Sequence, residues 1–105
     1  MPCLTAFGAS VHHDGERTRY ACRGHLTYTC YEAFRPLLDG VDGAPGHEIV
    51  VDLGEVSFLD TNGLGMLLVL REQARAKGRR VAVVNIPPRV DRMLHQSGAR
   101  ELLVG

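Results

Sequence analysis

Two short apolar runs limit what this chain can fold into more than any other feature. Ile49-Val50-Val51 and Val81-Ala82-Val83-Val84 are each bounded by breakers. Runs of this length, rich in β-branched residues, suit strands buried on both faces in a parallel or mixed sheet. Between them, residues 63–77 read as one helix. Gly78 follows at the usual C′ position, and Arg75 and Lys77 lie in the last turn, where positive charge is favoured. Strand, helix and strand in that order make a crossover unit with a fixed hand. A chain of 105 residues has room for one core built on such a unit.

The other segments fit around this unit. Residues 1–10 read as an N-terminal lead-in and residues 11–105 as a single domain. Residues 11–14 and 17–22 flank Asp14-Gly15, a hairpin signal between two strand candidates. Thr18, Tyr20 and Cys22 then face opposite to Arg19 and Ala21. Gly24 breaks the pattern. Leu26, Phe34, Leu37 and Leu38 follow a period near 3.6, which predicts a helix to about Leu38, capped by Thr27 or Thr29. Pro36 is its weak point, because proline removes a donor inside a helix. Residues 39–47 are turn-rich, and residues 48–53 and 56–59 supply the strand segments that lead to Asp60. Past the second valine run, residues 85–88 form a turn. Residues 89–97 form a helix with Val90, Met93 and Leu94 on one face, stopped by Gly98. Leu102-Leu103-Val104 is expected to add a last short strand. The order β-β-α-β-α-β-α-β is an α/β fold, a mixed sheet with helices packed on it.

Charge and cysteine usage remove several classes. Lysine plus arginine number 12 and aspartate plus glutamate number 12, so no net field draws the chain to nucleic acid or anionic lipid. The longest nearly apolar run, residues 64–70, falls far short of the roughly 20 residues that span a bilayer. The N-terminus has no basic residue ahead of a long apolar stretch, so it does not read as a signal peptide. Three irregularly spaced cysteines argue against a disulfide framework, and the cytoplasm is the expected compartment. Cys22, His25 and Cys30 lack the paired spacing of a zinc site, so no metal or cofactor is expected. No nucleophile, acid and base set is recognisable, and Gly63-x-Gly65 lacks the register and lysine of a phosphate loop. The expectation is a binding module and not an enzyme. Arg71, Arg75, Lys77, Arg79 and Arg80, with Glu72 among them, read as a solvated helix end.

The segment with most information is Asp60-Thr61-Asn62-Gly63, at the junction of a buried strand and the central helix. On spacing alone it is a capping motif, since Asp, Thr and Asn all accept hydrogen bonds from free helical N–H groups. Its surroundings say more. A V-D-L strand and an apolar pair precede the box, which runs Asp60-Thr61-Asn62-Gly63-Leu64-Gly65. A long helix, a Lys-Gly turn, a valine strand with Asn85 and a helix ending Ser97-Gly98 follow, and Gly24-His25-Leu26-Thr27 stands before the first helix. In this order the chain resembles the STAS domain family, and most of all the bacterial anti-sigma factor antagonists. The resemblance implies a regulatory hydroxyl at Thr61, phosphorylated by a partner that is an anti-sigma factor or histidine-kinase-like serine/threonine kinase, and restored by a phosphatase. It implies a partner surface around the box, with Asp60, Asn62, Gly63, Leu64, Met66 and Thr27 as candidate contacts. Thr61 replaces the commoner serine, and Thr27 stands where many members have aspartate. The chain stops at Gly105, short of the final helix that many members carry, so a short version of the fold is expected. The family's Asp-Thr-x-Gly form also occurs in a branch that serves as a subunit of lipid-transport ABC complexes, where the partner is the ATPase. In the helix itself, Leu64, Leu67 and Leu68 are expected to face the sheet, while Met66, Val69 and Leu70 point elsewhere. Met66 and Val69 are thus the candidates for partner contact on that helix.

Overall fold

The computed structural model describes residues 7–27, 30–41, 43 and 46–103. Those residues form four strands and four helices. They are β1 (Gly8–Asp14), β2 (Arg17–Leu26), α1 (Tyr31–Asp39), β3 (Glu48–Leu59), α2 (Thr61–Ala76), β4 (Arg80–Val84), α3 (Pro88–Ser97) and α4 (Arg100–Leu103). The sheet order is β1-β2-β3-β4, antiparallel between β1 and β2 and parallel across the other two pairs. Both parallel connections step the same way along the sheet. Right-handed crossovers therefore carry α1 and α2 to the same face, where they touch.

That face holds the core. Thr18, Tyr20 and Cys22 of β2 point into it, with Ile49, Val51 and Leu53 of β3, while Arg19 and Arg23 are exposed. The alternation read from the hairpin is the observed one. Phe34 and Leu37 of α1, Leu67 and Leu70 of α2, and Val90 and Leu94 of α3 close the core from above. The Tyr20 hydroxyl donates to the Leu37 carbonyl at 3.0 Å, which satisfies a buried polar group. On the opposite face, ion pairs cross the strands from Arg17 to Glu48 at 2.9 Å and from Arg80 to Glu48 at 3.2 Å. Arg19 pairs there with Asp52.

Several expectations change. Strand β1 begins at Gly8, and Phe7 packs against Phe34 with ring centroids 5.8 Å apart, so ordered structure starts inside the expected lead-in. Strand β2 runs through Gly24 to Leu26, because register shifts against β3 absorb the left-handed glycine. Strand β3 is one strand of 12 residues instead of two pieces. Helix α1 starts at Tyr31 with Cys30 before it, so Thr27 does not cap it; the Thr27 carbonyl instead accepts from the Cys30 N–H at 3.0 Å. Thr29 lies outside the described residues. Pro36 does stand inside α1, which continues past it to Asp39. The expected last strand is helical over Arg100–Leu103. Gly98 takes a left-handed turn (φ 75°), Arg100 reaches back to Asp91 at 2.7 Å, and buried Leu103 belongs to the core, where α4 meets α2. An apolar triplet carries no period of its own, and the docking face decides its structure.

Candidate functional site

The parallel strands β2 and β3 end side by side, with Leu26 paired to Leu59. Asp60 follows Leu59 in extended conformation and caps α2. Its Oδ1 accepts from the Gly63 N–H at 2.7 Å, and its carbonyl accepts the first helical bond from Leu64 at 2.9 Å. Its own N–H donates to the Leu26 carbonyl at 3.3 Å. The capping reading of the box thus describes Asp60. Thr61 is the first helical residue and is exposed, as is Asn62.

Gly63 explains the tightness of this turn. A Cβ at that position would lie 2.0 Å from the Leu26 carbonyl oxygen and 3.0 Å from a Leu59 methyl. The start of α2 therefore rests on the end of β2, and only a bare backbone fits between them. Successive helical residues turn by about 100°, so Thr61 lies about 160° round the helix from Gly63, nearly opposite it. Packing Gly63 inward presents Thr61 outward.

The same geometry sorts the other candidates. Thr27 directly follows Leu26, so it joins Asp60, Thr61 and Asn62 at one end of the sheet. Gly63, Leu64 and Met66 are buried, Met66 with 7% of its surface accessible. They are not surface contacts. Met66 and Leu70, expected to point away from the sheet, both belong to the core, and Leu70 is fully buried. Leu68 is half-buried. The buried arc is wide because α2 packs against α1 and α4 as well as against the sheet. Val69 does stand out, with 52% of its surface exposed.

One exposed side chain at this end was not singled out from sequence. Phe58 is 43% exposed and lies 5.5 Å from the His25 ring. Period-two alternation from the buried Leu59 would have placed it on the outer face.

No charged residue occurs in positions 61–70, so Asp60 is the nearest charge to Thr61 along the chain and the next on the α2 side is Arg71. Farther off, burial would raise the Asp52 carboxyl. The Gly54 N–H, which donates at 2.8 Å, together with Arg19 and Asn85, outweighs burial and holds it below its ordinary range. Burial pushes the Cys22 thiol up to about 12, aided by the Asp52 charge, and also raises Cys30. Both are buried free thiols. Among the described residues, no group of three or more His, Cys, Asp or Glu side chains is placed to hold a metal ion. No helix among them is long and apolar enough to cross a membrane. A cavity of about 300 Å³ opens elsewhere, between the hairpin and the end of α1, lined by Val11, His13, Thr18, Tyr20 and Asp39.

Comparison with known proteins matches residues 9–105 to the family described as Mlab, STAS domain. A STAS-domain containing protein of Pseudomonas aeruginosa (strain UCBPP-PA14) is 30% identical over 89 residues, covering 85% of this chain and 87% of the relative. The fold is that of an anti-sigma factor antagonist from Mycobacterium paratuberculosis, with TM-score 0.83 and 20% identity over 98% of this chain and 87% of the other. It is also that of the unphosphorylated anti-sigma factor antagonist SpoIIAA, with TM-score 0.76 and 19% identity over 92% and 86%.

Proposed function

The chain belongs to the STAS domain family, and we propose that it works as a regulatory protein-binding module, an anti-sigma factor antagonist. In this reading it binds an anti-sigma factor that is also a serine/threonine kinase. Phosphorylation of Thr61 ends the binding, and a phosphatase restores it. The carrying observation is the division of labour at the start of α2. Asp60 does the capping and Gly63 does the packing, which leaves the Thr61 hydroxyl on the outside. Thr27, Asp60 and Asn62 surround it as candidate contacts.

The chemistry of the switch follows from that position. A phosphate adds roughly −1.5 to −2 charges near pH 7. The N-terminus of a helix tolerates an anion through its N–H groups and dipole. The modification therefore spares the fold and acts on the interface, where it adds repulsion and a desolvation cost. The protein supplies the acceptor. ATP and the base belong to the kinase, and the seat of the reaction is the cytoplasm. The test is incubation with the purified anti-sigma factor kinase and ATP, followed by mass-spectrometric mapping. The expected site is Thr61, and Thr61→Glu should weaken binding. Phosphate elsewhere, with Thr61→Ala unchanged in modification and binding, refutes the assignment.

The threonine in the box favours a second reading. Here the chain is the STAS subunit of a lipid-transport ABC complex, and the same end of α2 holds the ATPase. Affinity capture separates the two by which purified partner the chain retains.

A further inference from the structure

Charge is spread unevenly along this neutral chain. Positions 1–60 hold 9 aspartates and glutamates against 4 arginines, while positions 61–105 hold 3 against 8 lysines and arginines. The fold turns that into a separation in space. The first part forms β1, β2, α1 and β3, and the second forms α2, β4, α3 and α4. With the sheet order β1-β2-β3-β4, the acidic and basic parts lie toward opposite edges.

On the acidic side the helical layer stops short. Val11 pairs with the buried Tyr20 and shares its core-facing side, yet 48% of Val11 is exposed. It lines the cavity of about 300 Å³ together with Tyr20, His13 and, at the end of α1, Asp39. The Asp39 carboxylate is 70% exposed, and its ion pair with Arg35 is long, at 3.8 Å. The last turn of α1 holds no basic residue, although a cation is favoured at that end of a helix. Asp14 and Glu16, exposed on the turn that follows His13, add two more carboxylates. An apolar wall under an acidic rim suits a cation carried on an apolar stem, which describes arginine.

The basic side offers such residues. Arg89 and Arg92 of α3 are exposed and three positions apart, so they are neighbours on the helix surface. Among the described residues neither takes part in an ion pair, whereas Arg71, Arg75, Arg80 and Arg100 all do. Asp91, the carboxylate of the same first turn, is engaged by Arg100 at 2.7 Å. Arg89 stands in that first turn, where the helix dipole disfavours positive charge.

We infer that the occupant of the cavity is a second copy of this chain, whose α3 docks on the β1 edge with one of Arg89 and Arg92 beside Asp39 and the other facing Asp14 and Glu16. The methylenes of the inserted arginine lie against Val11. The contact joins two molecules, because β1 is one edge of the sheet and α3 follows β4 at the other. The two surfaces differ, so each added copy leaves one α3 and one cavity free, and association runs head to tail. Opposite charge guides it, and salt weakens it.

The test is sedimentation velocity of the full chain from about 10 μM to about 1 mM, in about 0.02 M and about 0.5 M salt. In low salt the sedimentation coefficient should climb with concentration past that of a dimer, and in high salt it should return toward the monomer. Val11→Arg fills the cavity with the chain's own guanidinium, and Arg89→Gln/Arg92→Gln removes the incoming one. Each should weaken association at least about 10-fold, with thermal melts confirming the fold, and Asp39→Asn should weaken it in the same direction. Mixed in equal amounts, Val11→Arg and Arg89→Gln/Arg92→Gln should pair one to one and stop there, since one intact α3 and one intact cavity remain. A wild type that stays monomeric at about 1 mM in low salt overturns the inference. So does a wild type that stops at a dimer, or association that Asp39→Asn and Arg89→Gln/Arg92→Gln leave unchanged. A monomer that instead binds phosphatidylcholine–phosphatidylglycerol vesicles through the same arginines makes the occupant an anionic lipid surface and also overturns it.

Discussion

Gly63→Ala tests the packing at the start of α2 most directly. The added Cβ would meet the Leu26 carbonyl oxygen at 2.0 Å, where ordinary contact begins at 3.4 Å, a shortfall of 1.4 Å. The obstacle is backbone at the end of a parallel ladder, and it accepts from the Asp60 N–H at 3.3 Å. It has no rotamer to change, so the first turn of α2 must lift. Lifting sacrifices the Asp60–Leu26 hydrogen bond, about 0.5–1.5 kcal/mol. Overpacking strain adds about 1–3 kcal/mol. The better helix propensity of alanine returns about 1 kcal/mol. The net loss is about 0.5–3.5 kcal/mol with a midpoint of about 2 kcal/mol, and at that midpoint the melting temperature of a domain of this size falls by roughly 8–16 °C. Urea unfolding followed by circular dichroism reads it as a lower midpoint at unchanged slope. A variant as stable as the wild type would refute the claim that Gly63 is fixed by the β2 terminus. Gly65→Ala is the internal control, since the same chemical change two residues away should raise stability.

Three further outcomes follow from the same geometry. Asp60→Ala removes the side chain that accepts from Gly63 and should cost about 1 kcal/mol in urea unfolding, the usual worth of an N-cap; no change would mean that another group caps α2. The depressed pKa of Asp52 is a stabilising contribution present above the ordinary carboxylate range and lost as pH falls through the native value. Asp52→Asn should therefore be less stable than wild type at neutral pH, with the gap closing as the pH falls below the ordinary carboxylate range; a gap independent of pH in urea midpoints would contradict this. Cys22, with its thiol pushed up to about 12, and buried Cys30 should react with a thiol reagent at pH 8 far more slowly in the native chain than after unfolding; rapid native labelling at either site, located by peptide mapping, would show that the core opens.

The parts legible in the sequence are those where a local rule and the tertiary environment agree. Gly78 and Gly98 both take left-handed turns where the helix-stop reading placed them. Two-residue alternation in β2 matched the one-sided core. Local rules failed where a neighbour overrode them. Gly24 reads as a breaker, yet pairing with β3 carries the strand through it as an irregularity. Leu102 and Leu103 suit a strand by composition but lie in a helix that docks on α2. Residues 64–70 of α2 are apolar nearly all round, so the sequence pattern alone does not fix which side Met66 takes. Met66 and Leu70 lie within about 60° of Gly63, on the side of α2 that meets the sheet, and both are buried. Of the candidate site, the cap at Asp60 was legible because capping is local. Burial of Met66 was not, because it depends on elements far away in sequence.

The position of Thr61 is a consequence of the fold and not a separate device. Gly63 must face the β2 terminus, because any side chain there collides with Leu26. Once that contact sets the rotation of α2, the helical twist fixes everything else on it. The α2 residues within about 60° of Gly63, namely Met66, Leu67, Leu70 and Ala74, must be apolar or small, and all four are buried. Thr61, Gly65 and Leu68 fall on the far side, with Val69 and Asn62 flanking them. A substitution that rotated α2 would move the Thr61 hydroxyl and the exposed Val69 together, so a partner docked there as proposed would lose both. Disturbing Gly63 should accordingly impair modification at Thr61 and docking in parallel, even in conditions where the variant remains folded. Measuring both rates on Gly63→Ala below its melting temperature decides it: loss of docking with normal phosphorylation would show that the two surfaces are set independently.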